Sequence, residues 1–230
     1  MPKVTHFTTA QLLATAAADY FVYQANKAIA NNKRFTVALS GGTTPAALFT
    51  ILATEHYAAA IDWKNVYIFW GDERCVPLDS PENNAHNAST ILLDNVPIPK
   101  KNIFIIPVND TPAHAAIYYE ATLKIFFKTD QPVFNLILLG LGNDGHTASL
   151  FPNTSILAEK NSLVKEVFVP EKKEWRISFT ASLINYAEQV LFLVAGQAKA
   201  AIVNTILNAD KTDQHYPAQL IKNADWYVSV

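Results

Sequence analysis

The sequence predicts an α/β protein built on a doubly wound, mostly parallel sheet flanked by helices. Three observations carry this expectation. Short, strongly apolar runs alternate along the chain with longer segments of helical periodicity, the pattern of βαβ units. One of those runs, Phe134–Leu139, shows almost no polar face, as a strand covered on both sides must. The 230 residues are half hydrophobic and only 17% charged, against about 25% in an average soluble domain, so the chain can fill one large core.

The elements follow in order. Thr9 to about Asn31 reads as a helix, with Leu12, Leu13, Ala16, Tyr20 and Ala28 near a 3.6-residue stripe. Arg34–Leu39 reads as a strand, broken by Ser40-Gly41-Gly42-Thr43. Thr44 as N-cap and Pro45 in the first turn then predict a helix start. Val66–Trp70 is a strand leading into the loop Gly71-Asp72-Glu73-Arg74. Further helices are expected over about Pro81–Leu93, Pro112–Lys128 and Gln197–Asn208. Further strands are expected at Ile103–Ile106, Phe134–Leu139, Val164–Val169, Ile177–Thr180, Val190–Val194 and Trp226–Val228. Strands crowd together over about 160–190, which predicts a small antiparallel edge or subregion. The whole is Rossmann-like in outline, and with no linker or repeat, residues 1–230 are expected to form a single domain.

Composition narrows the function. The 18 Lys+Arg and 20 Asp+Glu are dispersed and sum to a net charge of −2, which leaves no footprint for nucleic acid. A small anion, needing only two or three placed cations, remains open. A single cysteine, Cys75, excludes an internal disulfide and a cysteine-based zinc cage. The apolar runs are too short to span a bilayer, and residues 1–6 lack the apolar core of a signal peptide, so a cytoplasmic location is expected.

In doubly wound sheets ligands bind beyond the carboxyl ends of the strands, so the post-strand loops carry the chemistry. Ser40, Gly41, Gly42, Thr43 and Thr44 combine glycines, hydroxyls and a helix start, a combination suited to phosphate. The loop is not a Walker A motif, because the Gly-Lys-Ser/Thr ending is missing. Asp72 and Arg74 follow a buried strand, and an arginine there can grip a phosphate; an exposed turn with an internal ion pair is the plainer alternative. Gly140-Leu141-Gly142-Asn143-Asp144-Gly145-His146 literally matches G-x-G-x-x-G, but Pro152 interrupts before a helix develops and only isolated acids follow. The glycines read instead as making room for a ligand beside His146, with Asp144 two residues away to orient the imidazole or hold substrate. The remaining histidines, His6, His56, His86, His114 and His215, read as surface residues, and no metal site is expected. Arg176 and Lys199 are further cations at strand and helix starts, and a lysine there opposes the helix dipole.

Taken in order, these motifs resemble the 6-phosphogluconolactonase family. Ser40–Pro45 is similar to its phosphate loop; Trp70–Pro77 with Ser80-Pro81-Glu82-Asn83-Asn84 is similar to its second motif; Gly140–Pro152 resembles its signature. Arg176–Thr180, Ile184-Asn185, Phe192–Gly196, Lys199-Ala200 and Pro217–Leu220 resemble its later segments. The chain departs from the family at Ser182, where proline is usual, and at Asn143, often acidic. The resemblance implies hydrolysis of 6-phospho-D-glucono-1,5-lactone without metal or organic cofactor; separately, a monomer is expected rather than an oligomer. His146 would be the base with Asp144 its partner. Ser40, Gly41, Gly42, Thr43, Thr44, Asp72, Arg74, Gly142, Asn143, Arg176 and Lys199 would bind the substrate, with backbone N–H groups near Gly142–Asn143 as oxyanion donors. The related glucosamine-6-phosphate deaminases carry a glutamate just before the proline, where this chain has Phe151. Two rival functions share parts of the pattern: a sugar-phosphate sensor without catalysis, and a dehydrogenase that holds a nicotinamide cofactor on the Gly140–Gly145 loop.

Overall fold

The computed structural model describes residues 3–208 and 216–230. His215 lies outside them. Among the described residues nine strands form two sheets. The larger has six strands, β1 (Val4–His6), β2 (Phe35–Leu39), β3 (Val66–Trp70), β5 (Leu136–Leu139), β8 (Val190–Ala195) and β9 (Asp225–Ser229), ordered β1-β9-β8-β5-β2-β3 with every pair parallel. The smaller is antiparallel and ordered β4-β7-β6, from β4 (Asp72–Arg74), β6 (Val164–Val169) and β7 (Glu174–Phe179). Seven α-helices accompany them among the described residues: α1 (Ala10–Asn32), α2 (Thr43–Leu52), α3 (Glu55–Ala59), α4 (Asn84–Ile91), α5 (Pro112–Phe127), α6 (Ala181–Ile184) and α7 (Ala200–Asn208). None of these helices is long and apolar enough to cross a membrane.

The expected parallel sheet, flanking helices and small antiparallel subregion are all present, with local corrections. The hydroxyl of Thr9 caps α1 by accepting the Leu12 N–H at 3.1 Å, a contact of about 1 kcal/mol. The buried face of α1 is mostly alanine around Leu13 and Phe21, so the helix lies close on the sheet. α2 starts at Thr43, and its N-cap is Gly42 at φ 104°, not Thr44. The positive φ suits glycine and turns the chain sharply off β2. Ile103–Ile106 is not a strand. Only a single bridge to Ile68 forms, because Phe104 turns inward to stack on Phe69 at 4.6 Å and Pro107 follows. The helix expected over Pro81–Leu93 shortens to α4, capped by the Asn83 side chain on the His86 N–H. α7 is preceded by a 3₁₀ turn over Gln197–Lys199. β1 is an addition that the sequence does not predict, a three-residue edge strand whose Thr-His ending carries no strand signal.

The largest correction concerns Gly71–Arg74, expected as a loop. Gly71 alone is the joint, and Asp72–Arg74 is β4, paired with Arg176–Ser178. The chain thus passes from one sheet to the other within a single residue. Tyr119 of α5 pins the seam: its buried hydroxyl accepts the Trp70 N–H at 2.9 Å and donates to the Phe104 carbonyl at 3.1 Å, while its ring stacks on Phe179 at 6.1 Å.

The strand order also reverses. β2 has β3 on one side and β5 on the other, so the chain leaves β2 in one direction and returns on its opposite flank. The loops after β2, β5 and β8 therefore emerge side by side, at the switch point where doubly wound sheets hold ligands.

Candidate active site

One cleft of about 220 Å³ opens at that point. Ser40, Gly41, Gly42, Thr43 and Thr44 line it from the β2 loop, Gly142 and His146 from the β5 loop, Asp72 and Arg74 from β4, Arg176 from β7 and Lys199 beyond β8. These residues span 160 positions of sequence, and the topology alone brings them together. Asn143 is exposed and does not line the cleft, and Asp144 meets it only through His146. Asn84 and Ala148 also line it; both fall in motifs that carry the family resemblance, but neither is among the expected site residues. Ala148 sits at φ 47°, a left-handed conformation that costs an alanine about 1 kcal/mol, in the turn that joins Thr147 to Leu150.

The cradle is unfinished as a protein-only structure. The first N–H groups of α2 have no acceptor within the helix. The Ser40 hydroxyl, the Arg74 Nε and the Asn84 Oδ1 are buried without a hydrogen-bond partner among the described residues. Buried polar atoms nearly always find partners, so three orphans around one cleft mark a place for a polar ligand.

The cations differ in how far they are already engaged. Arg176 is almost fully buried; it bonds Glu174 through Nε at 3.0 Å and faces the Asp72 carboxylate at 3.8 Å. Arg74 donates through one Nη to the Glu82 carbonyl. Lys199 has no ion-pair partner among the described residues, and burial holds its ammonium below the ordinary lysine value. An unpaired, half-buried cation gains most from an arriving anion.

His146 is fixed on three sides. Its Nδ1 meets Asp144 Oδ1 at 2.5 Å, its ring stacks on Phe151 at 4.0 Å, and its carbonyl accepts the Gly142 N–H at 2.8 Å. That last bond corrects the sequence expectation: the Gly142 N–H is engaged and cannot serve an oxyanion. Gly142 lines the cleft, and what its missing side chain spares first is the neighbouring ring. A Cβ there would lie 2.1 Å from His146 Nδ1, so the glycine makes room for the imidazole itself. Burial lowers the imidazole's proton affinity below its ordinary value, although the Asp144 and Asp72 carboxylates oppose this. For Asp144, burial pushes the carboxyl up, but the bonds from His146 outweigh it and the carboxyl ends below its usual value. The pair therefore holds a neutral imidazole beside an ionised carboxylate at neutral pH, with Nδ1 engaged and Nε2 left to accept a proton. Asp72 is buried, accepts the Ser149 hydroxyl at 2.7 Å and adds a second negative charge near the ring.

Fold and cleft define the class: an α/β enzyme with its cleft at the carboxyl ends of parallel strands. The model of the glucosamine-6-phosphate isomerase/6-phosphogluconolactonase family matches residues 8–228. A 6-phosphogluconolactonase of Synechocystis is 40% identical over 96% of this chain and 91% of its own length. One from Haemophilus influenzae is 37% identical over 96% and 94%. The solved 6-phosphogluconolactonase of Trypanosoma cruzi superposes with a TM-score of 0.89 at 28% identity, covering 99% of this chain and 94% of the other. The chain belongs to the glucosamine-6-phosphate isomerase/6-phosphogluconolactonase family.

Proposed function

We propose that this chain hydrolyses 6-phospho-D-glucono-1,5-lactone to 6-phospho-D-gluconate. The observation that carries the reading is the placing of an anion cradle and a carboxylate-held imidazole in one cleft. The names of the curated relatives support the same substrate. The apolar ring of Phe151, packed against His146, argues against the deaminase reading, because it can neither take up nor deliver a proton.

The Ser40–Thr44 loop and the first turn of α2 hold the phosphate, with Lys199 and Arg74 supplying charge. Arg176, held by Asp72 and Glu174, shapes the wall more than it binds. Phosphate binding sets the lactone carbonyl near His146. Nε2 removes a proton from water as its oxygen attacks C1. The tetrahedral intermediate then collapses with cleavage of the C1–ring-oxygen bond, and the imidazolium returns the proton to that oxygen. Asp144 keeps the ring in place and stabilises its transient positive charge, as in other His–carboxylate pairs.

The test is a coupled assay in which glucose-6-phosphate dehydrogenase generates the lactone and its loss is followed above the spontaneous rate. Purified protein is expected to accelerate that loss, and His146→Ala to lower kcat by about 10²–10⁴ with KM nearly unchanged. No acceleration, or ammonia release from glucosamine 6-phosphate, overturns the substrate. Wild-type turnover by His146→Ala overturns the mechanism.

A further inference from the structure

We propose that Glu73, which lies outside the cleft, is a positioning residue of the anion cradle: it ties the start of α4 to β4 so that Asn84 backs the Gly41 loop and Arg74 faces the cleft. The inference rests on the reading of the cleft as a sugar-phosphate site.

Glu73 is 1% exposed. Its Oε1 accepts the N–H groups of Arg74 and Asn84, each at 2.8 Å, and its Oε2 accepts that of Ala85 at 2.9 Å. Two of these donors are first-turn groups of α4, which the helix itself leaves unpaired. No cation pairs with the carboxylate among the described residues. Asn84, held by its own N–H, donates from Nδ2 to the Asp72 carbonyl at 3.0 Å. Its Oδ1 presses on Gly41 so closely that a Cβ there would lie 1.8 Å away. Arg74 reaches across to the Glu82 carbonyl, two residues before α4. The carboxylate thus closes a ring through Arg74, Glu82, Asn84 and Asp72, and three of those four residues line the cleft.

A stabilising role does not account for Glu73. Burial pushes its carboxyl up to about 7, against the three N–H bonds, so at neutral pH the ionised form is a burden on the fold. What the carboxylate supplies is three acceptor positions from one side chain. A glutamine offers only one acceptor oxygen and turns an NH₂ toward a backbone N–H.

The experiment compares wild type, Glu73→Gln, Asn84→Ala and the double variant, all checked for folding by near-UV circular dichroism. Lactone kinetics are measured together with binding of inorganic phosphate by calorimetry. Glu73→Gln is expected to raise both KM and the phosphate Kd about tenfold while kcat stays within about threefold, the split that marks lost ground-state binding. Asn84→Ala, which keeps the Glu73 bonds to backbone, is expected to move the same two quantities. The double variant is expected to be no worse than the weaker-binding single variant, because the residues act in one chain. If Glu73→Gln does not fold, Glu73→Asp, whose carboxylate is withdrawn by one methylene, carries the same expectation. Unchanged KM and Kd in folded variants, a fall in kcat at constant KM, or independent effects that multiply in the double variant each overturn the proposal. Wild type that binds phosphate but does not turn over the lactone fails the substrate reading, and a weakened phosphate Kd in Glu73→Gln then still upholds the positioning role.

Discussion

Adding one methyl group at Gly142 tests whether the imidazole's position is what the β5 loop provides. A Cβ there would lie 2.1 Å from His146 Nδ1, 2.2 Å from its Cε1 and 2.7 Å from Asp144 Oδ1. Carbon contacts are comfortable at about 3.5 Å, so the ring must retreat by more than about 1 Å. Phe151 at 4.0 Å limits that retreat, and the imidazole has to leave its pairing with Asp144. A misplacement of about 1 Å typically costs a catalytic group about 10² in rate. Gly142→Ala is therefore expected to lower kcat about 100-fold, with KM within about threefold because the proposed phosphate cradle stands on β2 and α2. Gly140→Ala is the control for the ring's position: the residue lines the cleft, but a Cβ there meets no atom within 4 Å, so kcat should stay near the wild-type value. Initial rates from the coupled lactone assay give both numbers. Wild-type kcat in Gly142→Ala, or equal damage in Gly140→Ala, refutes the reasoning.

Three further outcomes are expected. The pH profile of kcat/KM should rise from acid along a limb centred below about 6.5, because burial disfavours the imidazolium; Asp144→Asn should move that limb further toward acid and lower kcat, since Asp144 is the leading group opposing the shift. Lys199→Ala and Arg74→Ala should each raise KM more than they lower kcat, with the larger rise at Lys199, whose charge has no ion-pair partner among the described residues; steady-state kinetics checks the order. The raised Glu73 carboxyl favours the protonated folded state, so its contribution to stability is complete below the unfolded value of about 4.3 and lost as pH climbs through about 7, a loss of about 4 kcal/mol at most. Urea unfolding of wild type and Glu73→Gln at pH 4.5 and 7.5 checks this, and a constant difference between them refutes it.

Much of this architecture is readable from residue order. The apolar runs of β2, β3, β5 and β8 are buried strands of a parallel sheet, a pattern set by covering on both faces. The post-strand glycines at 41, 42 and 142 mark the loops that line the cleft. Three things are not readable. β4 carries three charged residues in a row, and what makes it a strand is its pairing with Arg176–Ser178, a hundred residues away. Glu73 reads as solvated charge until its three N–H partners are seen in space. Asn84 falls in the second family-like motif, but no local pattern assigns it a role; the nearest hint is Gly41, whose missing side chain leaves the space that Asn84 occupies. Local pattern reports what a segment buries, whereas each of these depends on which distant segment it meets.

The joint at Gly71 has a consequence for engineering. Arg74 and Arg176 hang from one sheet and the Ser40–Thr44 cradle from the other, so the aperture between them is fixed by how the two slabs are clamped, with Tyr119 as the bolt. Trimming Tyr119 to phenylalanine removes the bolt's head without emptying its hole. The clamp between the two slabs can therefore be loosened from a fully enclosed position, through the two hydroxyl bonds alone.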